Sequence, residues 1–537
     1  MKRSLLSAIW VLLIGTQWQP IKAQQVEWIK QIGGAFDETV YDMCYDPAGN
    51  LYMTGSLGAG GTVDGHTFSV NGTRDGFLAK FNAAMEYQRA ITFGGAILPP
   101  TPNELDVGKV VMFNPVSGQI ILGGLYADNG NGVVFGPGMI LSGGGMFVAG
   151  YDTDGICQWV RSVPGGGAQD MVIDGGGNIY VQGFYEFSQF GYMVKYSSGG
   201  DELWYRDLGQ WIVSAAWVAD DDGTLAMVFS AYDGTTLIGT SIQPSTGAYS
   251  NPLFARMDTS ATQLNGYKLM GTDSLGTFHA LSMLGDGTFI TSGGYRQNLF
   301  LPWDTLVAAS GVSQPVLARL DSAGTPMWLQ DFEANEVIYS AIPSTLAGDS
   351  SIYLGMDVSA PMTFGGFTVT PSTARDFVVA RFDLDGNCLG VVQGGELANG
   401  RVNVHGTPDG GVIVSGPFFT SMNIGSGLTG TGSRDYFVAK YSQITSVPEQ
   451  RSGADQSLHI YANPNDGTCT IDLPEGLEWT QALVLNIYDL NGRLVQSEPV
   501  GRHSGPLKLD IRAQARGSYP VELTDGAQRY SGTIVFE

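Results

Sequence analysis

Short stretches of alternating apolar and polar residues, each broken by Gly, Asp or Asn, run along most of this chain. Alternation with a period of two reads as half-buried strand, and helical periodicity is nearly absent. The clearest junction is Asp46-Pro47-Ala48-Gly49-Asn50-Leu51-Tyr52, where Gly and Asn supply a left-handed turn between two strands. Asp174 to Tyr180, Asp220 to Leu225, Asp286 to Phe289 and Asp409 to Ile413 follow the same plan. A second pattern is an aromatic-led strand that often ends in glycines, as in Trp28 to Gly34, Tyr87 to Gly95, Trp159 to Gly165 and Trp204 to Gly209. A third is a nearly apolar phrase, mostly carrying one cation: Leu78-Ala79-Lys80-Phe81, Val148-Ala149-Gly150-Tyr151, Met193-Val194-Lys195-Tyr196, Phe254-Ala255-Arg256-Met257, Leu317-Ala318-Arg319-Leu320, Val379-Ala380-Arg381-Phe382 and Val438-Ala439-Lys440-Tyr441.

Seven copies of that phrase recur at roughly 60-residue spacing, and such a period marks a solenoid or a propeller. Each unit supplies four strands, the number in a propeller blade. Glycines flank the second strand repeatedly (Thr54-Gly55, Gln182-Gly183, Ser292-Gly293-Gly294, Ser415-Gly416), as blades tapering toward an axis require. The repeat is also cut at an offset: it opens on an aromatic-led strand and ends on the phrase finishing at Tyr441. Trp28 to Ile32 is therefore expected to complete the last blade and leave no long unpaired edge. The fold class is all-β: a seven-bladed β-propeller over residues 24–445, then a small β-sandwich.

The two ends differ from this body. Residues 1–23 read as a signal peptide, with Lys2 and Arg3, an apolar run from Leu5 to Gly15, and cleavage between Ala23 and Gln24. No Cys follows that point, which argues against a lipid-anchored N-terminus, and no later stretch is apolar enough for a transmembrane helix. Residues 446–456 are polar and read as a linker. Residues 457–537 hold seven short candidate strands, from Leu458 to Tyr461 through Tyr530 to Phe536, with turns at Asn463-Pro464-Asn465-Asp466-Gly467 and Asp489-Leu490-Asn491-Gly492. Seven strands in so short a span point to an Ig-like sandwich.

Two resemblances rest on these residues. Trp28 to Gly34, Gly49 to Gly55, Arg74 to Phe81 and Arg434 to Tyr441 resemble the bacterial seven-bladed β-propeller repeat family, which implies a fold and little about activity. The C-terminal segment is similar to the sorting domain of the type IX secretion system of Bacteroidetes, on Asn463, Pro464 and Gly467, on Tyr488, Asp489 and Gly492, and on Gly517 and Tyr519. Ala462 stands where that family usually has Pro. Pro520 falls inside a strand and is expected at an edge or opposite a missing ladder bond. This resemblance implies handling by the type IX secretion machinery and a secreted or cell-surface protein.

Composition adds exclusions. A net charge of −24 repels phosphate backbones and anionic lipid, so nucleic acid is not an expected partner. The four cysteines, Cys44, Cys157, Cys388 and Cys469, form no C-x-x-C pair and are expected as isolated thiols. There is no Gly-x-Ser-x-Gly elbow and no His-Glu-x-x-His, and repeat position does not bring His279 and His405 together, so no catalytic residue is assigned and the chain is read as a non-enzyme. No cofactor is expected, calcium being the one ion to consider. Asp152 with Asp154, and Asp383 with Asp385, place paired carboxylates before a Gly, and Asp220-Asp221-Asp222-Gly223 is similar. Calcium takes six to eight oxygens, more than such a turn supplies, so capping of the turn by Asp is the competing explanation. Trp28, Trp159, Trp204 and Trp328 recur at strand starts and are expected to pack between blades, while Trp303, Tyr185 and Phe187 fall in variable loops and are candidate ligand contacts. The function expected is an adhesin-like binding or scaffolding protein for a glycan or protein ligand. The alternatives are a polysaccharide hydrolase or lyase working in the propeller funnel, and a structural envelope protein without a small ligand.

Overall fold

A computed structural model of the chain describes residues 26–444 and 458–537, apart from 72, 96–105, 129, 165–167, 186–189, 213–215, 221–222, 245–246, 309–311, 334–343, 349, 399–401, 425–426, 432, 474–482, 489–493, 502–505 and 525–528. The expected signal peptide, its cleavage site at Ala23 and Gln24, the linker, and Asp221, Asp222, Phe187, Asp489 and Gly492 lie outside the described residues.

Residues 26–444 form seven four-stranded antiparallel sheets arranged as propeller blades. Each of the first six runs outward in chain order, as from Thr39–Tyr45 through Leu51–Gly58 and Arg74–Phe81 to Tyr87–Phe93 in blade one. The first strands touch in sequence round a ring, from Thr39–Tyr45 through Val107–Asn114, Ala168–Ile173, Ala216–Ala219, Gly276–Met283 and Ser344–Leu346 to Asn403–Gly406 and back to Thr39–Tyr45. Blade seven takes its outermost strand from the other end of the chain: Val26–Gly33 pairs with Asp435–Tyr441, from Val26 opposite Tyr441 to Ile32 opposite Tyr436. The offset in the repeat is thus the closure of the ring.

The recurring phrase is the third strand of every blade. Its apolar residues are almost wholly buried and alternate between the two neighbouring blades: in blade one, Phe77, Ala79 and Phe81 pack with residues of blade seven, and Leu78 with those of blade two. Its cation performs two tasks at the short-turn end. Arg256 meets Asp220 at 2.7 Å and Arg319 meets Asp286 at 2.6 Å, each across to the first turn of its own blade. The same side chains reach the following blade: Lys80 Nζ donates to the Thr153 carbonyl at 2.7 Å, Arg319 Nη1 to Leu384 at 3.1 Å, and Arg381 Nη1 to Ile444 at 3.2 Å. Each donation is a charge-assisted bond that pairs a carbonyl at the blade junction.

At the opposite end of the same strand, Asp75, Asp376 and Asp435 are fully buried. Asp435 accepts from Thr431 N at 2.9 Å and Gln31 Nε2 at 2.7 Å; Asp376 accepts from Ser372 N at 2.8 Å and Gln393 Nε2 at 2.7 Å; Asp75 accepts from Asn71 N at 2.9 Å. These carboxylates explain the glycines that end the outermost strands. A Cβ on Gly94 would lie 2.2 Å from the Asp75 carboxyl, one on Gly33 2.5 Å from Asp435 Oδ2, and one on Gly395 2.7 Å from Asp376 Oδ1.

The Gly-rich loop between the second and third strands carries a finding the sequence pattern did not predict. Among the described residues it folds in six blades into a small extra hairpin, such as Val133–Gly136 with Met139–Leu141 or Met362–Phe364 with Phe367–Val369. Several of these cross to the preceding blade: Thr62–Val63 pairs with Val26–Gly33, Ser421–Asn423 meets Cys388–Gly395, and Val134 bridges Gly94.

The C-terminal unit is described by itself. Its described residues form seven strands in sheets of three and four over one core that includes Ile471, Leu485, Leu509, Val521 and Ile534. Pro520 lies in Gly517–Thr524, an inner strand rather than an edge, opposite Thr533. The ladder on its other side, to Leu483–Tyr488, stops at Val521, so the missing N–H of Pro520 falls beyond the last pair. Asn463 and Gly467 flank the turn in which Asn465 Oδ1 accepts from Gly467 N at 2.8 Å, and Asn463 Nδ2 donates to the Thr533 carbonyl. Tyr488 donates to Glu522 at 2.9 Å, and Tyr519 to the Ala515 carbonyl at 2.5 Å. Among the described residues no helix is long and apolar enough to cross a membrane.

The buried carboxylates give a direct stability test. Gly94→Ala should destabilise the propeller by about 1–3 kcal/mol, as overpacking against a buried side chain does. Gly285→Ala, with open space at its Cβ, should stay within about 0.5 kcal/mol of the parent. Denaturant midpoints of the two variants check this, and equal midpoints would refute the packing argument.

Candidate functional site

Antiparallel blades place all first and third turns on one face of the ring, and all second–third and fourth–first loops on the other. The proposed calcium pairs lie on the short-turn face. Asp152 Oδ1 accepts from the amides of Asp154 and Ile156, both at 2.9 Å, and its Oδ2 accepts from Gln158 Nε2 at 3.0 Å. Asp383 repeats this with Asp385 N, Asn387 N and Asn387 Nδ2. Burial raises the Asp383 pKa, but the Asn387 bonds and turn amides outweigh it and hold the carboxyl below its ordinary value. Asp154 points instead to Arg89, at 3.3 Å. Both first carboxylates are thus engaged by their own turns, as Asp46 and Asp174 are in other blades. Among the described residues no group of three or more His, Cys, Asp or Glu side chains is placed to hold a metal ion.

The central channel holds a second set of titratable groups. The first strands of blades one, two, three and five each carry a bulge, at Val40/Asp42, Gly108/Val110, Ala168/Asp170 and Phe278/Ala280. Asp42 and Asp170 occupy the same register. Each satisfies an edge N–H of the next blade: Asp42 Oδ2 accepts from Val111 N at 2.8 Å, and Asp170 Oδ2 from Trp217 N at 3.0 Å. His405, from blade seven, brings Nε2 to 3.6 Å from Asp42 Oδ1. Burial pushes both Asp42 and Asp170 up to about 7, and the charge of Asp170 adds to the rise at Asp42. Burial pushes His405 down to about 4. Lys109 sits 3.6 Å from the centre of the Tyr41 ring, a close cation–π contact. A cleft of about 440 Å³ opens nearby between the first strands of blades six, seven and one, lined by Met43, Cys44, Leu346, His405 and Thr407.

The loop face carries the exposed rings. Trp303 is exposed at the tip of the blade-five hairpin, and Phe36, Tyr249, Phe300 and Phe419 are exposed on the same side. Tyr185 is different: its ring packs on Tyr192 at 5.0 Å and its hydroxyl bonds that of Tyr205, so it belongs to the blade. The strand-start tryptophans pack as expected: Trp159 is buried and donates to Gln119, and Trp328 donates to the Leu384 carbonyl at 3.0 Å. The four cysteines are free, Cys157 and Cys469 being buried. Sequence reasoning passed over Asp42 and Asp170. The available signal was a lone acid in an apolar first strand, repeated as Asp42-Met43 and Asp170-Met171.

Comparison with known proteins separates the two units. Residues 459–537 match the family described as the secretion system C-terminal sorting domain, which places the protein at the cell surface or outside the cell. No curated protein matches the chain. Among solved structures it is similar to the Dos1 propeller, at 12% identity over 78% of this chain and 97% of that one, with a TM-score of 0.38. It is similar also to the β-propeller domain of the Trilobed protease from Pyrococcus furiosus (9% identity, 77% and 97% covered, TM-score 0.40). A PL25 ulvan lyase bound to its saccharide matches at 11% identity over 78% and 96%, with a TM-score of 0.41.

The channel acids have a testable pH signature. Their folded pKa lies above the unfolded value, so the native state binds more protons, and their contribution to stability is lost as pH rises through the folded pKa. His405 has the opposite sign, its contribution being lost as pH falls through about 4. The double variant Asp42→Asn, Asp170→Asn removes only the acid part. Its stability relative to the parent should grow by on the order of 1 kcal/mol per site between about pH 5 and pH 8. Denaturation at several pH values checks this; a constant difference would refute it.

Proposed function

We propose that this protein is a secreted or cell-surface binding protein that engages an extracellular glycan or protein with the loop face of its propeller, after export through its C-terminal sorting domain. The observation that carries the reading is the loop face itself. Among the described residues six blades add a hairpin in the same loop, several anchored to the preceding blade, and their tips and neighbours present exposed rings such as Trp303, Phe300 and Phe419. A rigid ring carrying variable projections is how a scaffold positions a binding surface.

The Asp42–His405 approach at 3.6 Å supports a second reading, a polysaccharide hydrolase or lyase working in the channel. A carboxyl and an imidazole at that distance have the chemistry of an acid–base pair. Each Asp also caps a strand edge, which accounts for its presence without catalysis, so binding is the preferred reading.

The mature protein on an array of glycans and polysaccharides, followed by analysis for cleaved products, separates the two. Binding without cleavage is expected. Soluble fragments lost in Asp42→Asn would favour the enzyme, and no binding would shift the role to a structural one. Removing residues 459–537 should leave the propeller inside the envelope, as fractionation and surface protease treatment would reveal. Unchanged surface delivery would remove the sorting role.

A further inference from the structure

On the loop face, at the junction of blades three and four, three aromatic rings form a row. Trp211 follows the outermost strand of blade three, Glu202–Gln210. Tyr232 follows the second strand of blade four, Thr224–Ala231, and Tyr249 lies just before the third, Asn251–Asp258. The Trp211 and Tyr232 ring centres are 5.9 Å apart with planes at 44°, and those of Tyr232 and Tyr249 are 5.6 Å apart at 88°. The pairs are tilted and edge-to-face rather than stacked, so no two rings cover each other face to face. Tyr249 is 68% exposed, while Trp211 and Tyr232 are half-buried.

The backbone holds this row in place. Trp211 has a φ of +63°, a left-handed conformation strained for a bulky side chain, and fully buried Ile212 follows it. Tyr232 opens a tight turn in which its N–H donates to Thr235 Oγ1 at 2.9 Å and Thr235 N returns to its carbonyl. That turn is built on Gly234, at φ +81°, close against the Trp211 indole. Tyr249 N donates to the Ser274 carbonyl at 2.5 Å. Both flanks of the row are therefore fixed before any ligand arrives, which lowers the ordering cost of binding.

We propose that Trp211, Tyr232 and Tyr249 form a stacking platform for a neutral oligosaccharide. The inference rests on the binding reading above and gives it a place and a ligand class. Ring faces suit the apolar C–H faces of pyranoses, and the indole N–H and phenol hydroxyls can pair with sugar hydroxyls. Asp233, exposed in the turn beside Tyr232, and a chain net charge of −24 disfavour uronates and sulfated sugars.

The test is an array of neutral gluco-, manno-, xylo- and galacto-oligosaccharides beside uronate and sulfated ones, probed with the mature protein and its variants. Tyr249→Ala, an exposed position that should leave folding intact, is expected to weaken binding of a neutral oligosaccharide at least 10-fold. Trp211→Phe, which keeps a ring, should weaken it less than Trp211→Ala. Ile156→Ala, exposed on the opposite face, should bind as the parent does. Parent-like binding by Tyr249→Ala and Trp211→Ala overturns the platform while leaving the binding reading standing. Binding confined to anionic glycans overturns the ligand class, and a parent that binds no glycan overturns the platform together with glycan binding.

Discussion

The pairing of Val26–Gly33 with Asp435–Tyr441 is the constraint on which the propeller depends. Six residue pairs join the two ends of a fold about 400 residues long. Without them blade seven would keep three strands, and Asp435–Tyr441 would present an open edge. Both ends of the seam are pinned. At the loop end, buried Asp435 takes Gln31 and sits against Gly33; at the turn end, Lys440 meets Glu27 at 2.8 Å and also Asp409. The first crossing hairpin, Thr62–Val63, adds a further pairing to the same strand.

From that seam the rest follows as repetition. One third-strand phrase supplies the packed centre of each blade, and its cation spans to the next turn. The Asp at the other end of the strand, where it recurs, orders the loop above it. Rigidity accumulated this way lets the loop face differ from blade to blade without loss of the ring. It also holds groups that a less constrained fold would expose. Glu38 is fully buried at the seam and pushed up to about 7, by burial first and the Asp435 charge in addition. Asp42 and Asp170 sit in the channel at similar values. The left-handed Trp211 is a further local cost carried by the framework.

Most of the ring was legible in the sequence because its signals are local. Alternation, Asp-Gly turns and the apolar phrase each act within a few residues, and the offset of the first strand exposed the closure. The crossing hairpins were not legible, since Thr62–Val63 or Ser421–Asn423 is too short to stand out from a Gly-rich loop and is ordered by the blade before it. Asp42 and His405 meet only because the ring brings blade seven beside blade one, and no spacing along the chain encodes that. The same holds for Trp211 and Tyr249, which reach one row from different blades. Tyr185 looked like a loop ring and is instead packed on Tyr192, whereas Trp303 is exposed as its position implied. In the C-terminal unit all seven strands were readable from alternation, while the place of Pro520 depended on where a neighbouring ladder ends.

The most direct test of this account is amide hydrogen exchange of the protein, read for the segment Val26–Gly33 against Asp435–Tyr441. Ring closure predicts that the two exchange together, at the slow rate set by opening of the whole propeller. Fast exchange of Val26–Gly33 while Asp435–Tyr441 stays protected would mean that the first strand is a loose end, and would contradict the closed ring.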